Sequence, residues 1–289
     1  MSESRAEIRK TYKLFIGGAF PRSESGRSYV VTSAAGAFLA NAAWASRKDV
    51  RDAVVAARGA LLGWSGATAY NRGQVLYRVA ELLEARRAQF VEDVRAAEGA
   101  TARAAASQVD ASIDRWVWYA GWSDKLAQVA GSSNPVAGPY FNFSVPEPTG
   151  VIGVVAPTGS SLLGLVSVVA PVLAAGNTIV VLADEQRPIP AVSLTEVLAT
   201  SDVPAGVLNL LTGPADELVP VLASHRDVDG LDLAGAEPAL AAAAEASGAT
   251  NIKRVSRGVA PGQDWRRDPG TARLLRFVET KTVWHPIGS

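Results

Sequence analysis

Apolar residues along this chain change their period near Val151, and the change divides it into a helical part and an alternating strand–helix part. In the first part, Ser46-Arg-Lys-Asp49 has the form of a capping box ahead of a helix over Val50 to Ala60. Asn71-Arg-Gly-Gln74 begins a second helix, with Val75, Val79, Leu82 and Leu83 on one face. A third is predicted from Asp110 to Gln128, where the spacing of Trp116, Trp118, Tyr119 and Trp122 directs the aromatic rings into a core. Ahead of these helices the pattern predicts an arm over the first thirteen residues and strand-like pieces at Leu14 to Gly18 and Tyr29 to Val31. Gly131 to Pro148 is rich in Gly, Pro, Ser and Asn, yet Tyr140 to Val145 alternates strictly through Phe141, Phe143 and Val145, which predicts a half-exposed strand leaving the main body.

Beyond Val151, short apolar runs predict strands at Val151 to Ala156, Thr178 to Leu182, Val207 to Leu211, Gly230 to Leu233 and Ile252 to Val255. Helices predicted at Ser161 to Ala174, Ala191 to Thr200, Ala215 to Ser224 and Pro238 to Ser247 fill the gaps. This is the order of an α/β, Rossmann-like doubly wound parallel sheet. The tail, Leu274 to His285, opens as a helical turn and becomes an alternating, β-branched strand stopped by Pro286.

Composition narrows the function classes. Lys plus Arg and Asp plus Glu both number 28, so no net field favours nucleic acid or an anionic membrane. The longest apolar run, Leu162 to Ala175, is too short to span a bilayer, and the polar N-terminus has no signal-like apolar region, which predicts a cytoplasmic protein. The sequence contains no cysteine and two histidines, His225 and His285, leaving little for a metal site or a Ser/His relay.

Several motifs occur in a recognisable order: Leu14-Phe-Ile-Gly-Gly18, Gly63-Trp64, Pro146-Glu-Pro-Thr-Gly-Val-Ile-Gly-Val-Val-Ala-Pro157, Ala174-Ala-Gly-Asn-Thr178, Glu185-Gln186, Pro204-Ala-Gly-Val-Leu-Asn209, Thr212-Gly-Pro214, Asp227-Val-Asp229 and the tail from Phe277 to Trp284. Together they resemble the aldehyde dehydrogenase superfamily, and in particular the cysteine-less half of its multi-domain members. The resemblance implies residues 1–130 as the helical part of the cofactor domain, 131–148 as an oligomerisation strand and 149–258 as an NAD-binding-type domain. It implies 259–273 as a linker standing where the family carries its catalytic domain, and 274–289 as a second oligomerisation strand. The two strands are expected to pair antiparallel in a protruding ribbon that completes a neighbour's sheet, with Tyr140, Phe141, Phe143, Val145, Phe277, Val283 and Trp284 as partner-binding residues.

What the resemblance implies for chemistry is a subtraction. The family uses a cysteine nucleophile, an asparagine oxyanion donor and a glutamate base with NAD. Here no cysteine exists, Gly159 stands at the asparagine position, and Ser256-Arg-Gly258 follows the strand where the glutamate is expected. A ribose-binding lysine is replaced by Leu182, and a glycine that lets a helix N-terminus approach the pyrophosphate is replaced by Leu240. Glu185, Gly213 and Gly235 survive as vestigial cofactor residues. Each also has a plainer reading: a solvated helix-start carboxylate for Glu185, and turn glycines for the other two. Ser160 and Ser161 are read as helix-capping residues, not nucleophiles. The resulting expectation is a catalytically inactive subunit that assists a full-length, active, NAD(P)-dependent aldehyde dehydrogenase, with no catalytic or metal site and weak NAD binding if any. A residual NAD sensor, and an oxidoreductase working only with a cysteine-bearing partner, are the alternatives.

Overall fold

The computed structural model describes residues 9–259 and 262–288. At the N-terminal end β1 (Thr11–Tyr12) pairs parallel with β3 (Phe38–Ala43), which pairs antiparallel with β2 (Ser28–Thr32). Part of the expected arm is therefore sheet, while residues 1–8 lie outside the described residues. Leu14 to Gly18 forms a tight turn instead of a strand: Ile16 bridges Ala19, and Phe15 exchanges backbone hydrogen bonds with Leu210.

Four helices of the N-terminal part follow: α1 (Arg47–Gly66), α2 (Ala69–Ala85), α3 (Arg87–Glu98) and α4 (Ala102–Trp122), then the short α5 (Leu126–Ala130). The capping box forms as expected, with Ser46 and Asp49 satisfying each other's backbone N–H. Helix α3 is absent from the sequence reading because its apolar side is thin, with only Phe90, Val94 and Ala97 buried. The third expected helix starts earlier and breaks at Ser123, and Trp116 and Tyr119 lie fully in the core.

The ribbon and the parallel sheet come next in the chain: β4 (Ser132–Asn134), β5 (Tyr140–Pro148), β6 (Val151–Val155), α6 (Leu163–Ala174), β7 (Thr178–Leu182), α7 (Ile189–Leu198), β8 (Leu208–Leu211), α8 (Ala215–Ser224), β9 (Gly230–Asp232), α9 (Pro238–Gly248), β10 (Arg254–Ser256) and β11 (Val278–Pro286). Strands β10-β9-β6-β7-β8 form one sheet, parallel throughout. Every residue of β6, β7 and α6 is buried, which explains their unbroken apolar runs: helices cover both faces of a parallel sheet.

Polar residues at the amino ends of these strands tie the domain together. Asn177 Oδ1 accepts from Gly150 N–H, and its Nδ2 donates to the carbonyls of Val172 and Phe277. Asp229 Oδ2 accepts from Val151 N–H and from Arg58 at 2.7 Å. The buried Lys253 donates to two carbonyls, His225 and Val228, and to Asn251.

Strands β5 and β11 pair antiparallel as the sequence reading expected, with Phe143 opposite Val283, and β4 flanks β5 on its other side. The faces differ from that reading. Asn142 and Ser144 are the buried residues of β5, held in a polar network by Asn134 and Thr282, whereas Phe141 is 49% exposed. The pairing register puts Phe141, Phe143, Val145 and Val283 on one face and Tyr140 with Trp284 on the other.

Phe277 does not belong to the ribbon surface. Its ring is 1% exposed and fills this chain's own core beside Ile152, in space left by Gly230, so it cannot meet a partner. The segment before it is anchored as well: Leu274 is fully buried, Arg273 pairs with the buried Asp232 at 3.2 Å, and Arg115 donates to the carbonyls of Trp265 and Arg267. The segment is thus anchored to the domain through the backbone at Trp265 and Arg267 and the side chains of Arg273 and Leu274.

Candidate functional site: the carboxyl end of the parallel sheet

In a doubly wound sheet the strand-end loops on the carboxyl side form the natural ligand crevice. Here the loops after β6, β7 and β9 enclose about 520 Å³, lined among others by Gly159, Asp184, Glu185, Arg187, Gly235 and Leu240. Two of the three expected cofactor residues, Glu185 and Gly235, meet in this crevice. Gly213 does not line it. It is buried in the turn after β8 at φ +135°, and a Cβ there would lie 3.3 Å from the backbone nitrogen of Ala45.

The local reason for Gly235 is steric. Its N–H donates to Val155 O, and a Cβ would fall 1.8 Å from the Ala156 carbonyl, so the β9 loop can cross the end of β6 only without a side chain. This is the turn-glycine reading made specific.

The electrostatics of the crevice are one-sided. Burial pushes the Asp184 carboxyl above its usual range, although it accepts a hydrogen bond from Gln186 N–H. Glu185 is raised first by burial and then by the neighbouring Asp216, Asp184 and Glu217 carboxylates. The hydroxyl of Tyr29 is buried without a partner among the described residues and is also pushed up, by burial and then by Glu185 and Asp184. At the head of α9, Glu237 occupies the cap and Pro238 the first turn, so one amide donor is missing where a helix N-terminus would otherwise offer it to an anion. Leu182 is buried inside the sheet, where the resemblance implied a ribose-binding lysine, and Leu240 lines the crevice with a side chain where it implied a glycine. Among the described residues, Arg187 is the one cationic side chain lining this crevice.

Of the two serines read as helix caps, Ser160 caps α6 and Ser161 does not, because its donors turn to α3. Ser160 Oγ accepts from Gly164 N–H, and Ser161 donates through both N–H and Oγ to Glu98 Oε1 at 2.7 Å. Neither histidine approaches them: His225 ends α8, and His285 lies on the ribbon opposite Phe141. Sequence reasoning missed the Glu98 contact because α3 was not anticipated. It also missed a larger cavity of about 850 Å³ on the far side of Gly235, walled by α9, Arg257 and Trp265. The Trp265 wall belongs to the segment read as a linker, and only a lone aromatic in a Gly- and Asp-rich stretch hinted at it.

Among the described residues, no helix is long and apolar enough to cross a membrane and no three metal-ligating side chains converge.

Comparison with known proteins fits this architecture. The family model described as "Aldehyde dehydrogenase family" matches residues 20–259. Retinal dehydrogenase 2 of Homo sapiens is 35% identical over 256 residues, covering 86% of this chain and 48% of that protein. Cytosolic 10-formyltetrahydrofolate dehydrogenase of Pongo abelii is 31% identical over 268 residues, covering 89% of this chain and 29% of that protein. The crystal structure of HpcC from Thermus thermophilus superposes with a TM-score of 0.81 at 30% identity, over 86% of this chain and 48% of that one. This chain spans about half the length of the first of these relatives. The matched region runs from the turn at Phe20 through the whole parallel sheet, and on that sequence and fold agreement the chain belongs to the aldehyde dehydrogenase family.

Proposed function

We propose that this chain is a catalytically inactive, cytoplasmic aldehyde dehydrogenase-like subunit that serves as an assembly or regulatory partner of a full-length, active NAD(P)-dependent aldehyde dehydrogenase. The observation that carries the reading is the ribbon. Among the described residues strand β11 has one neighbour, β5, and its other edge is open, with Trp284 at 59% and Phe141 at 49% exposure nearby. An open, partly apolar edge is a template for strand addition from another chain. The acceptor it needs is a sheet, and a full-length relative supplies one.

The chemistry supports the same reading. A sequence without cysteine carries no thiolate nucleophile, Gly159 offers no oxyanion amide side chain, and Ser256-Arg-Gly258 holds no glutamate base where the resemblance implied one. One relative, solved as an NAD+ complex of aldehyde dehydrogenase from Bacillus cereus, names the cofactor class. The present crevice fits that dianionic group poorly, because Asp184, Glu185 and Glu237 surround it and Arg187 alone opposes them. Glu185, exposed at the crevice mouth, is the observation that favours the second reading, an NAD sensor.

The test is a paired measurement on the rigorously purified chain: aldehyde oxidation with NAD, and calorimetric titration with NAD. The proposal expects no turnover and no saturable heat below the millimolar range. Turnover overturns inactivity, and a micromolar dissociation constant replaces the assembly reading with the sensor.

A further inference from the structure

A third cavity, of about 520 Å³, lies at the root of the ribbon and has no part in the carboxyl-end crevice. Its walls come from the end of α1, the start of α2, α5 and the last residues of β5, and most are apolar: Leu61, Leu62, Leu126, Pro146 and Pro148. Arg72 also lines it. This arginine is 9% exposed, yet among the described residues no carboxylate lies within salt-bridge distance of it. Nη1 alone finds partners, the carbonyls of Ser65 and Ala67; Nε is buried without one. Gly176, at φ +92°, lets the guanidinium pack flat against the chain, since a Cβ there would lie 3.4 Å from Cζ.

The contrast with Arg115 sharpens the point. That equally buried guanidinium spreads its donors over Ser167 Oγ and two carbonyls. Arg72 leaves Nε, which is buried, and Nη2 without a protein partner among the described residues, and an anion reaching such a fork gains charge-assisted hydrogen bonds. The nearest resident carboxylate lining the cavity, Glu147, is occupied by Lys281 across the ribbon at 2.9 Å. Burial also lowers the Arg72 guanidinium from its ordinary value, with no neighbouring charge offsetting the shift.

We propose that this cavity is a binding site for a small monocarboxylate on an apolar stem, its carboxylate taken by Arg72 and its stem laid against Leu61, Leu62 and Leu126. A concave, mostly apolar site with one convergent charged group has the composition of a small-ligand pocket, and its volume lies within the roughly 300 to 1,000 Å³ such pockets occupy. A planar fork selects carboxylate over alcohol or amine of the same length.

The test uses the full chain and sodium octanoate as probe, with octanol and octylamine as controls. Calorimetry reads affinity, and the ¹⁵N-resolved Nε–H resonance of Arg72 reports on the site without any mutation. The expected result is saturable octanoate binding that moves this resonance, with octanol weaker by roughly tenfold or more, as loss of a charged hydrogen bond implies. Arg72→Gln weakens octanoate to the same degree. If that variant does not fold, Ala127→Trp, placed on the exposed rim formed by α5, blocks entry instead. Equal affinity for octanol, no saturable binding into the millimolar range, or undiminished binding in the folded variants overturns the proposal.

Discussion

The two rims of the parallel sheet are built on opposite terms. At the amino rim, the residue immediately before β7, β9 and β10 is a buried or partly buried polar group, Asn177, Asp229 and Lys253, and each is met by two or three partners. At the carboxyl rim, Asp184 is held above the usual carboxylate range by burial, Glu185 by partial desolvation and the neighbouring Asp216, Asp184 and Glu217 carboxylates, and the hydroxyl of Tyr29 has no partner among the described residues. The amino rim does structural work: Asn177 joins the β5–β6 turn, the end of α6 and the root of β11 in one residue. The carboxyl rim, where a doubly wound enzyme gathers donors for its ligand, gathers carboxylates. A scaffold can thus keep its packing chemistry intact while the groups expected at its ligand crevice are replaced.

Breaking the amino rim has the largest expected effect. Asn177→Ala leaves Gly150 N–H unpartnered in a fully buried position and takes one of two hydrogen bonds from each of the carbonyls of Val172 and Phe277, which keep Asn177 N–H and Thr149 N–H. At about 1–3 kcal/mol for the unsatisfied buried donor and about 0.5–1.5 kcal/mol for each hydrogen bond lost by a carbonyl, the loss is on the order of 3–4 kcal/mol. Denaturant unfolding measures it, and a loss below about 1 kcal/mol would remove Asn177 from this role.

The carboxyl rim offers a sharper split between its structural and its vestigial residues. Gly235→Ala must displace the Ala156 carbonyl and is expected to cost roughly 2–3 kcal/mol, as overpacking does. Leu240→Ala, on the open crevice wall, is expected to cost under about 1 kcal/mol. Equal costs in thermal melts would mean that Gly235 is not placed by close approach.

The smallest effect is electrostatic. Asp184 has its folded-state pKa raised by burial, so the folded protein holds that proton more tightly than the unfolded chain. The penalty is therefore absent below the unfolded carboxylate pKa, grows as pH rises through the folded one, and is full at neutral pH. Asp184→Asn keeps an oxygen to accept from Gln186 N–H and removes that penalty, for a small gain at pH 7 that vanishes toward pH 3. A variant less stable than wild type at pH 7, with no pH dependence of the difference, contradicts the assignment.

Much of this architecture was legible in the residues themselves. The strands at Thr178 to Leu182 and the helix at Ala215 to Ser224 appear with the expected bounds because apolar runs and turn residues both mark them. The capping box at Ser46 was readable for the same reason: its chemistry is local. What stayed hidden depends on distant contacts. Helix α3 has little periodicity of its own and is buried by α4 and α7. Strand β1 is two residues long and exists only through β3. Phe277 reads as the first residue of an alternating strand, and only the small Gly230 opposite reveals that its ring turns inward. In the crevice, sequence identified Glu185 and Gly235 but could not place Gly213 behind them, nor find the bare fork of Arg72, whose significance rests entirely on what is not beside it.

The central claim is that the ribbon joins this chain to a cysteine-bearing relative, and co-expression tests it directly. The chain is produced together with a full-length aldehyde dehydrogenase from the same source, intact and truncated after Phe277, so that Leu274 and Phe277 remain in the core. Light scattering of the purified material gives the mass of the assembly. The account predicts a defined complex containing both chains, which is lost when β11 is removed while the truncated chain stays folded. A complex that survives the truncation unchanged, or an intact chain that remains a stable monomer beside the full-length enzyme, contradicts it.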